Sequence, residues 1–140
     1  MCQIIIDTNV LLSALRSDSG ASFQLLRLIP DERFEINLSV PLVLEYEDVL
    51  KRPEMDVHLD HATIDDILDF LCQTGRLRII RFLWRPTLRD PDDDFLLELA
   101  VECSCDYIVT FNTKDFMNSS SFGISAVKPL EFLRIIGELK

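Results

Sequence analysis

Acidic side chains and one carboxamide stand at four separated places along this 140-residue chain. Asp7 directly follows a short apolar run, Glu45 lies in a helical stretch, and Asn112 and Asp115 follow a later apolar run. The remaining place has four carboxylates within five residues, namely Asp90, Asp92, Asp93 and Asp94. Hard oxygen ligands of this kind suit Mg²⁺ and Mn²⁺, and such ions activate water and stabilise in-line attack on a phosphodiester. The acidic residues therefore indicate a metal-dependent phosphodiester hydrolase.

The two isolated acids differ in how well a structural role explains them. Asp7 is a favoured N-cap for a helix that begins near Asn9. Glu45 lies three residues after Leu42 and four before Val49, so it shares their inward-facing stripe rather than a solvated face. A salt-bridged glutamate remains an alternative there, because a buried charge is costly unless it is paired or bound to a metal.

The aspartate cluster and the later turn keep structural alternatives as well. Acids in the first turn of a helix stabilise it by about 0.3–1 kcal/mol each, and Asn112 and Asp115 could simply form a capping turn. Helical spacing places Asp92 and Asp93 beside the inward face of their helix, whereas Asp94 points away. Four carboxylates this close repel one another, and a bound cation would offset that repulsion.

Other catalytic arrangements are poorly supported. The chain has two histidines, both in one irregular stretch, and it lacks the glycine-rich patterns that bind nucleotide phosphates. Asp7-Thr8-Asn9 does not fit the D-x-D motif of haloacid-dehalogenase-type phosphatases, and it lacks the acidic pair of receiver domains. The cysteines form one C-x-C pair without the second pair of a structural zinc site, so we expect reduced thiols at Cys2, Cys72, Cys103 and Cys105.

The elements that must position these acids follow from the apolar pattern. Strands are predicted at 4–6, 34–38, 77–82, 107–111 and 124–127. Between and after them, helices are predicted through 11–15, 23–29, 41–52, 63–74, 90–103 and 129–137. This alternation is typical of an α/β fold with a parallel sheet covered on both faces. Ligands of such sheets bind outside the carboxyl ends of the strands, where all four acidic places could converge.

Length, hydropathy and charge limit the remaining possibilities. The length favours one domain, 1–140, and the absence of a long apolar run or a signal peptide predicts a soluble cytoplasmic protein without a membrane partner. The net charge of −10 argues against broad neutralisation of nucleic-acid phosphates. One stretch before the aspartate cluster is basic and comprises Arg76, Arg78, Arg81, Arg85 and Arg89. Arg89 is the predicted phosphate contact nearest the site. Lys51, Arg52 and Lys114, elsewhere in the chain, could add to it.

In four segments, taken in order, the chain resembles the toxin branch of the PIN-domain family. Ile5 to Leu11 resembles its opening strand and D-T-N motif, and Ser39 to Pro53 its second acidic helix. The segment Arg89-Asp90-Pro91-Asp92-Asp93-Asp94 is similar to its R-D-P-x-D-[DN] motif. The segment from Asp106 to Thr110, with Asn112 and Asp115-Phe116, is similar to its last motif.

The resemblance implies a site and a fold. It implies metal-binding and catalytic roles for Asp7, Glu45 and Asp93, with Asp94 as the ligand if the motif aligns one residue later. Thr8, Asn9 and Asp90 would support these ligands from the second shell. Asn112 replaces the fourth aspartate of many members, so Asp115 is the candidate to compensate, or one ion is held instead of two. The implied fold is a three-layer α/β/α sandwich with a central, mainly parallel five-stranded sheet.

The resemblance also implies an activity and its control. It implies an endoribonuclease that uses Mg²⁺ or Mn²⁺ to cleave single-stranded RNA, forms a homodimer and is inhibited by a small antitoxin protein. An antitoxin arginine could enter the acidic pocket, and a helix of the antitoxin could pack near Phe23 and Leu26. We further expect like charges to raise the pKa of at least one clustered acid in the absence of metal. The alternative function is a non-catalytic PIN domain that binds RNA or a protein partner.

Overall fold

A five-stranded sheet organises the molecule. The computed structural model describes residues 1–79, 94–116 and 123–139, with the side chain of Asp94 excepted. Its strands are β1 (Cys2–Ile6), β2 (Phe34–Leu38), β3 (Arg76–Leu77), β4 (Tyr107–Val109) and β5 (Ser125–Val127). All neighbouring pairs are parallel and the strand order is β3-β2-β1-β4-β5, so β1 is the central strand. The expected α/β class with a central parallel sheet is confirmed.

Helices connect and cover these strands. In the described part of the chain they are α1 (Thr8–Arg16), α2 (Ala21–Arg27), α3 (Val40–Leu50), α4 (His61–Thr74), α5 (Asp94–Glu102) and α6 (Pro129–Ile135), with a 3₁₀ turn at Pro53–Met55. Parallel strands joined by right-handed crossovers place α1 to α4 on one face of the sheet. The connection from β3 back across to β4 runs in the opposite direction, which places α5 on the other face. The result is a three-layer α/β/α sandwich.

Burial explains why the central strand and its neighbours form where the pattern predicts. Ile4 and Ile5 have no exposed surface, and their side chains point to opposite faces, so β1 is covered by helices on both sides. Ser39 ends β2 and caps α3, because its hydroxyl accepts a hydrogen bond from the Leu42 amide at 3.3 Å. The turn from β2 to α3 is thereby fixed next to the carboxyl end of β1.

Several element boundaries differ from the sequence prediction, among them those of α4, β4 and α6. The helix predicted to open at Thr63 begins at His61, because Asp60 is the cap and accepts from the Thr63 amide at 2.8 Å. The strand predicted through 111 ends at Val109. The closing helix ends at Ile135 rather than near residue 137.

The third predicted strand is described only at its start. β3 spans Arg76–Leu77, and the amide of Arg78 donates to the Leu38 carbonyl at 2.7 Å just beyond it. Residues 80–82 of the predicted strand, and residues 90–93 at the start of the predicted fifth helix, lie outside the described residues.

The two closely spaced cysteines belong to the interior. Cys103 and Cys105 are buried, and the Cys105 thiol donates to the carbonyls of Gln3 and Tyr107, at 3.0 Å each. All four cysteines are free thiols. None of the helices in the described residues combines the length and the apolar character that a membrane span requires.

Candidate functional site

Asp7 occupies the carboxyl end of the central strand. It is 7% exposed, and it is the N-cap of α1, accepting a hydrogen bond from the Thr8 amide at 2.7 Å through Oδ1. Its other oxygen, Oδ2, accepts from the Thr110 hydroxyl at 2.8 Å and from the Asn9 side-chain amide at 3.3 Å. Capping therefore accounts for one oxygen only, while the second is held by Asn9 of α1 and by Thr110 from the turn after β4.

The environment of Asp7 disfavours its charge. Burial raises the pKa of this carboxyl from 3.8 to about 6, and the negative charges of Glu45 and Asp115 raise it further, while hydrogen bonds from Thr110 and Thr8 oppose the rise. The expected rise in pKa is confirmed in direction, although burial is a larger cause than repulsion between like charges. A buried carboxylate beside two other carboxylates is an arrangement that a divalent cation would stabilise. The donor chemistry thus fits a hard cation.

Glu45 approaches Asp7 from α3. Its side chain is half-buried and accepts a hydrogen bond from the Thr8 hydroxyl. Thr8 therefore supports Asp7 with its backbone amide and Glu45 with its side chain. Within the described part of the chain, the ion pairs involve neither Asp7 nor Glu45. The salt-bridge interpretation of Glu45 thus finds no support among these residues.

The turn after β4 completes the described part of the site. Thr110 is fully buried, and its hydroxyl accepts a hydrogen bond from the Asn112 amide at 3.0 Å while donating to Asp7. Asn9 accepts from the Phe111 amide at 3.3 Å, which ties α1 to the same turn. Asn112 itself is exposed, and Asp115 is half-buried and close enough for its charge to act on Asp7. The turn thus places the charge of Asp115 near Asp7, while Asn112 contacts Thr110 through its backbone amide.

Several predicted site residues lie outside the described part of the chain. Arg89, Asp90, Asp92 and Asp93 are not among the described residues, and Asp94 is placed only as the first residue of α5. Within the residues that are described, no three or more acidic, cysteine or histidine side chains come close enough to hold a metal. Among the described residues, the structure thus places the charges of Glu45 and Asp115 near enough to act on Asp7 without forming a metal-holding group of three, and the position of Asp93 relative to them stays a prediction.

Three residues of interest were missed by the sequence analysis. Thr110, the buried donor to Asp7, had a signal, because a polar residue ends the apolar run 107–109 at the carboxyl edge of the sheet. Tyr46 lies four residues after Leu42 and so shares the apolar stripe of α3, but its hydroxyl donates to the carbonyl of Ile6. Glu98 is 3% exposed on α5, and its signal was a charge inside the apolar segment 95–100.

Several cations predicted to contact phosphate have partners within the molecule. Arg78 donates through Nε to the Asn37 side chain at 2.9 Å, and Arg76 lies 3.4 Å from the Glu35 carboxylate. Lys51 pairs with Asp65 at 2.7 Å. Arg52 pairs with Asp48 on the surface of α3. These contacts give the four side chains structural roles that their charge alone did not reveal.

Comparison with known proteins agrees with this architecture. A family model described as "PIN domain" matches residues 3–114. No curated protein matches the chain in sequence. Among solved structures, the chain is similar to one titled "Structure of FitAB bound to IR36 DNA fragment", with a TM-score of 0.60 and 17% identity over 90% of this chain and 94% of that one. The structural similarity shows the fold, and the family model covers most of the sequence. The chain therefore belongs to the PIN domain family.

Proposed function

We propose that this protein is an endoribonuclease that cleaves single-stranded RNA with the help of bound Mg²⁺ or Mn²⁺. The observation that carries the proposal is the buried Asp7 carboxylate at the carboxyl end of the central strand, with Glu45 and Asp115 as its charged neighbours. An uncompensated cluster of this kind is costly to fold. PIN-family membership adds that the same strand end is the expected place for nuclease chemistry.

The proposed ligands divide into a primary and an additional set. Asp7, Glu45 and Asp93 would hold the cation and carry catalysis, and the additional candidates are Asp94, Asn112 and Asp115. When bound, the cation would activate the attacking water and stabilise charge on the phosphodiester.

The other residues of the site act on these ligands. Thr110 holds Oδ2 of Asp7 and the Thr8 amide holds Oδ1, so the carboxylate is fixed in orientation from both sides. The Thr8 hydroxyl holds Glu45, and Asn9 joins Asp7 to the turn after β4. These contacts restrain the orientation of both carboxylates. Asp90 is proposed as a further supporting residue, and Arg89 as a contact to an RNA phosphate.

We also propose a biological setting, which the motif resemblance to the toxin branch supports. In this setting 1–140 is a single PIN domain that forms a homodimer in the cytoplasm. A small antitoxin protein would inhibit it, and an arginine of that partner could pair with the carboxylates in place of the cation. Expression of the chain with and without its genomic neighbour tests this setting. Growth that is unimpaired in both cases, with folded protein present, would argue against a toxin.

The activity is tested with a single pair of variants. Asp7→Asn removes the central carboxylate, and Asp66→Asn makes the same charge change at an exposed position on α4. Each protein is incubated with single-stranded RNA, double-stranded RNA and single-stranded DNA in Mg²⁺, Mn²⁺ or EDTA. We expect cleavage of single-stranded RNA by the wild type and Asp66→Asn, only with metal, and none by Asp7→Asn.

Each other outcome has a definite meaning. Cleavage that persists in EDTA or in Asp7→Asn would refute the metal mechanism. Cleavage of DNA in preference to RNA would replace the proposed substrate. Tight binding of RNA or Mn²⁺ without cleavage would instead favour the non-catalytic alternative.

A further inference from the structure

Tyr46 makes an unusual contact for a residue in the apolar stripe of a helix. It is 2% exposed, and its hydroxyl donates to the backbone carbonyl of Ile6, the residue immediately before Asp7. A buried tyrosine hydroxyl needs a hydrogen-bond partner. This one finds its partner on the central strand, at the point where the strand delivers Asp7 to the site.

The geometry of β1 explains why that carbonyl is available. The amide of Asp7 donates to the Val109 carbonyl on β4 at 2.9 Å. Because the two polar groups of one peptide unit point in opposite directions, the Ile6 carbonyl faces β2. β1 pairs with β2 as far as Ile4 opposite Ile36. β2 ends at Leu38, and α3 begins at Val40. The Tyr46 hydroxyl therefore occupies the side on which a neighbouring strand would otherwise donate.

The residue next to Tyr46 makes the matching contact on the other side of Asp7. Glu45 accepts a hydrogen bond from Thr8, while Tyr46 donates to Ile6. Two consecutive residues of α3 thus hold both sequence neighbours of Asp7. The separation of the Asp7 and Glu45 carboxylates depends on how α3 sits against β1 and α1, and these two hydrogen bonds link α3 to both elements.

We propose that Tyr46 is a positioning residue that fixes the distance between the Asp7 and Glu45 carboxylates for a divalent cation. This inference rests on the proposed function, because it assigns a role toward the same site. Removal of supporting hydrogen bonds around metal ligands weakens metal affinity by about 10- to 100-fold. Tyr46→Phe keeps the ring and its packing, so loss of the hydroxyl should appear in metal affinity rather than in the fold.

Tyr107 provides the matched control. It stands at the amino end of β4, opposite Ile4, and its ring packs edge-on against Phe132 with 5.8 Å between the ring centres. Tyr107→Phe deletes the same atom from a tyrosine away from Asp7. Thr8→Val cuts the hydrogen bond between Glu45 of α3 and the first residue of α1, so it tests the geometry without any change to Tyr46.

The experiment measures Mn²⁺ binding to the full chain by isothermal titration calorimetry, with urea unfolding in EDTA as the measure of folding. We expect Tyr46→Phe and Thr8→Val to raise the Mn²⁺ dissociation constant by about 10- to 100-fold, and Tyr107→Phe to leave it unchanged. Cleavage by Tyr46→Phe should return at saturating Mn²⁺, which a general loss of structure would not allow.

The failures of the two proposals can be told apart. Wild-type affinity in a folded Tyr46→Phe would overturn the positioning role and leave the nuclease proposal intact. If Tyr46→Phe does not fold, wild-type affinity in Thr8→Val would overturn the positioning geometry. Absence of both Mn²⁺ binding and cleavage in the wild type would overturn the proposed function and the positioning role together.

Discussion

The burial of Asp7 implies that the candidate site lowers the stability of the metal-free protein. In the folded state the pKa of this carboxyl is about 6, compared with 3.8 when it is exposed. Because the pKa is raised by folding, Asp7 favours the folded state most when it is protonated. Its contribution is fully present below about pH 4 and is lost as the pH rises through about 6. Replacement by asparagine removes this dependence on pH.

The magnitude follows from the two pKa values. One pKa unit corresponds to about 1.4 kcal/mol, so ionised Asp7 costs about 3 kcal/mol at neutral pH, which is an upper estimate for a single group. Between about pH 5 and pH 8 the cost changes by about 1.4 kcal/mol. Asp7→Asn also disturbs the hydrogen bond from Thr110, but the effect of that bond on the titration is already contained in the pKa of about 6. The free energy of unfolding of Asp7→Asn minus that of the wild type should therefore rise by about 1.4 kcal/mol from pH 5 to pH 8.

Urea unfolding in EDTA at several pH values provides the measurement. Asp66→Asn, at an exposed position, is the control, and its difference from the wild type should be constant across the same range. Added Mn²⁺ should stabilise the wild type and leave Asp7→Asn almost unaffected, because a ligand stabilises only the state that binds it. A difference for Asp7→Asn that stays flat, or that falls as the pH rises, would refute the argument from burial.

Three further substitutions test other parts of the structure. Thr110→Val removes the hydroxyl that donates to Asp7 at 2.8 Å. NMR titration should therefore find the pKa of Asp7 above about 6, and calorimetry should find weaker Mn²⁺ binding. An unchanged pKa would contradict the assigned hydrogen bond. Gly75→Ala adds a Cβ that would lie 2.6 Å from Cγ1 of Ile36, so the free energy of unfolding in urea should fall by about 1–3 kcal/mol without a change in Mn²⁺ affinity. Asn37→Ala removes a fully buried amide that donates to neighbouring side-chain and backbone oxygens at 3.0–3.3 Å. It should lower the free energy of unfolding in urea by about 1–3 kcal/mol. Cleavage at saturating Mn²⁺ should be retained.

Local patterns in the sequence were sufficient to predict the class of fold and the position of Asp7 at the carboxyl edge of the sheet. The strand at Phe34–Leu38 was predicted with its observed bounds, and the caps at Asp7 and Ser39 were visible as residue types. Side-chain direction in a strand or helix repeats with a fixed period, so burial and element type can be inferred from a few neighbouring residues. The alternation of strands and helices then requires a parallel sheet, whose carboxyl edge carries Asp7.

The boundaries that were wrong depend on contacts between distant segments. The prediction carried the fourth strand through residue 111, whereas β4 ends at Val109. Just beyond that end, the Thr110 hydroxyl donates to Asp7, a residue 103 positions earlier in the chain. The fourth helix was predicted to begin at Thr63 although Asp60 caps it, since both residue types are good caps and only the path of the preceding chain selects one.

The chemistry of the site was likewise only partly determined by the sequence. Residue types and spacing identified Asp7 and Glu45 as candidates, and they predicted that repulsion would raise a pKa. Only the folded structure decided that burial is the larger cause, and that Tyr46 and Thr110 hold the residues around Asp7. Desolvation and hydrogen-bond partners depend on which atoms from remote segments surround a group. A local pattern specifies which way a side chain faces, and tertiary packing specifies what it meets there.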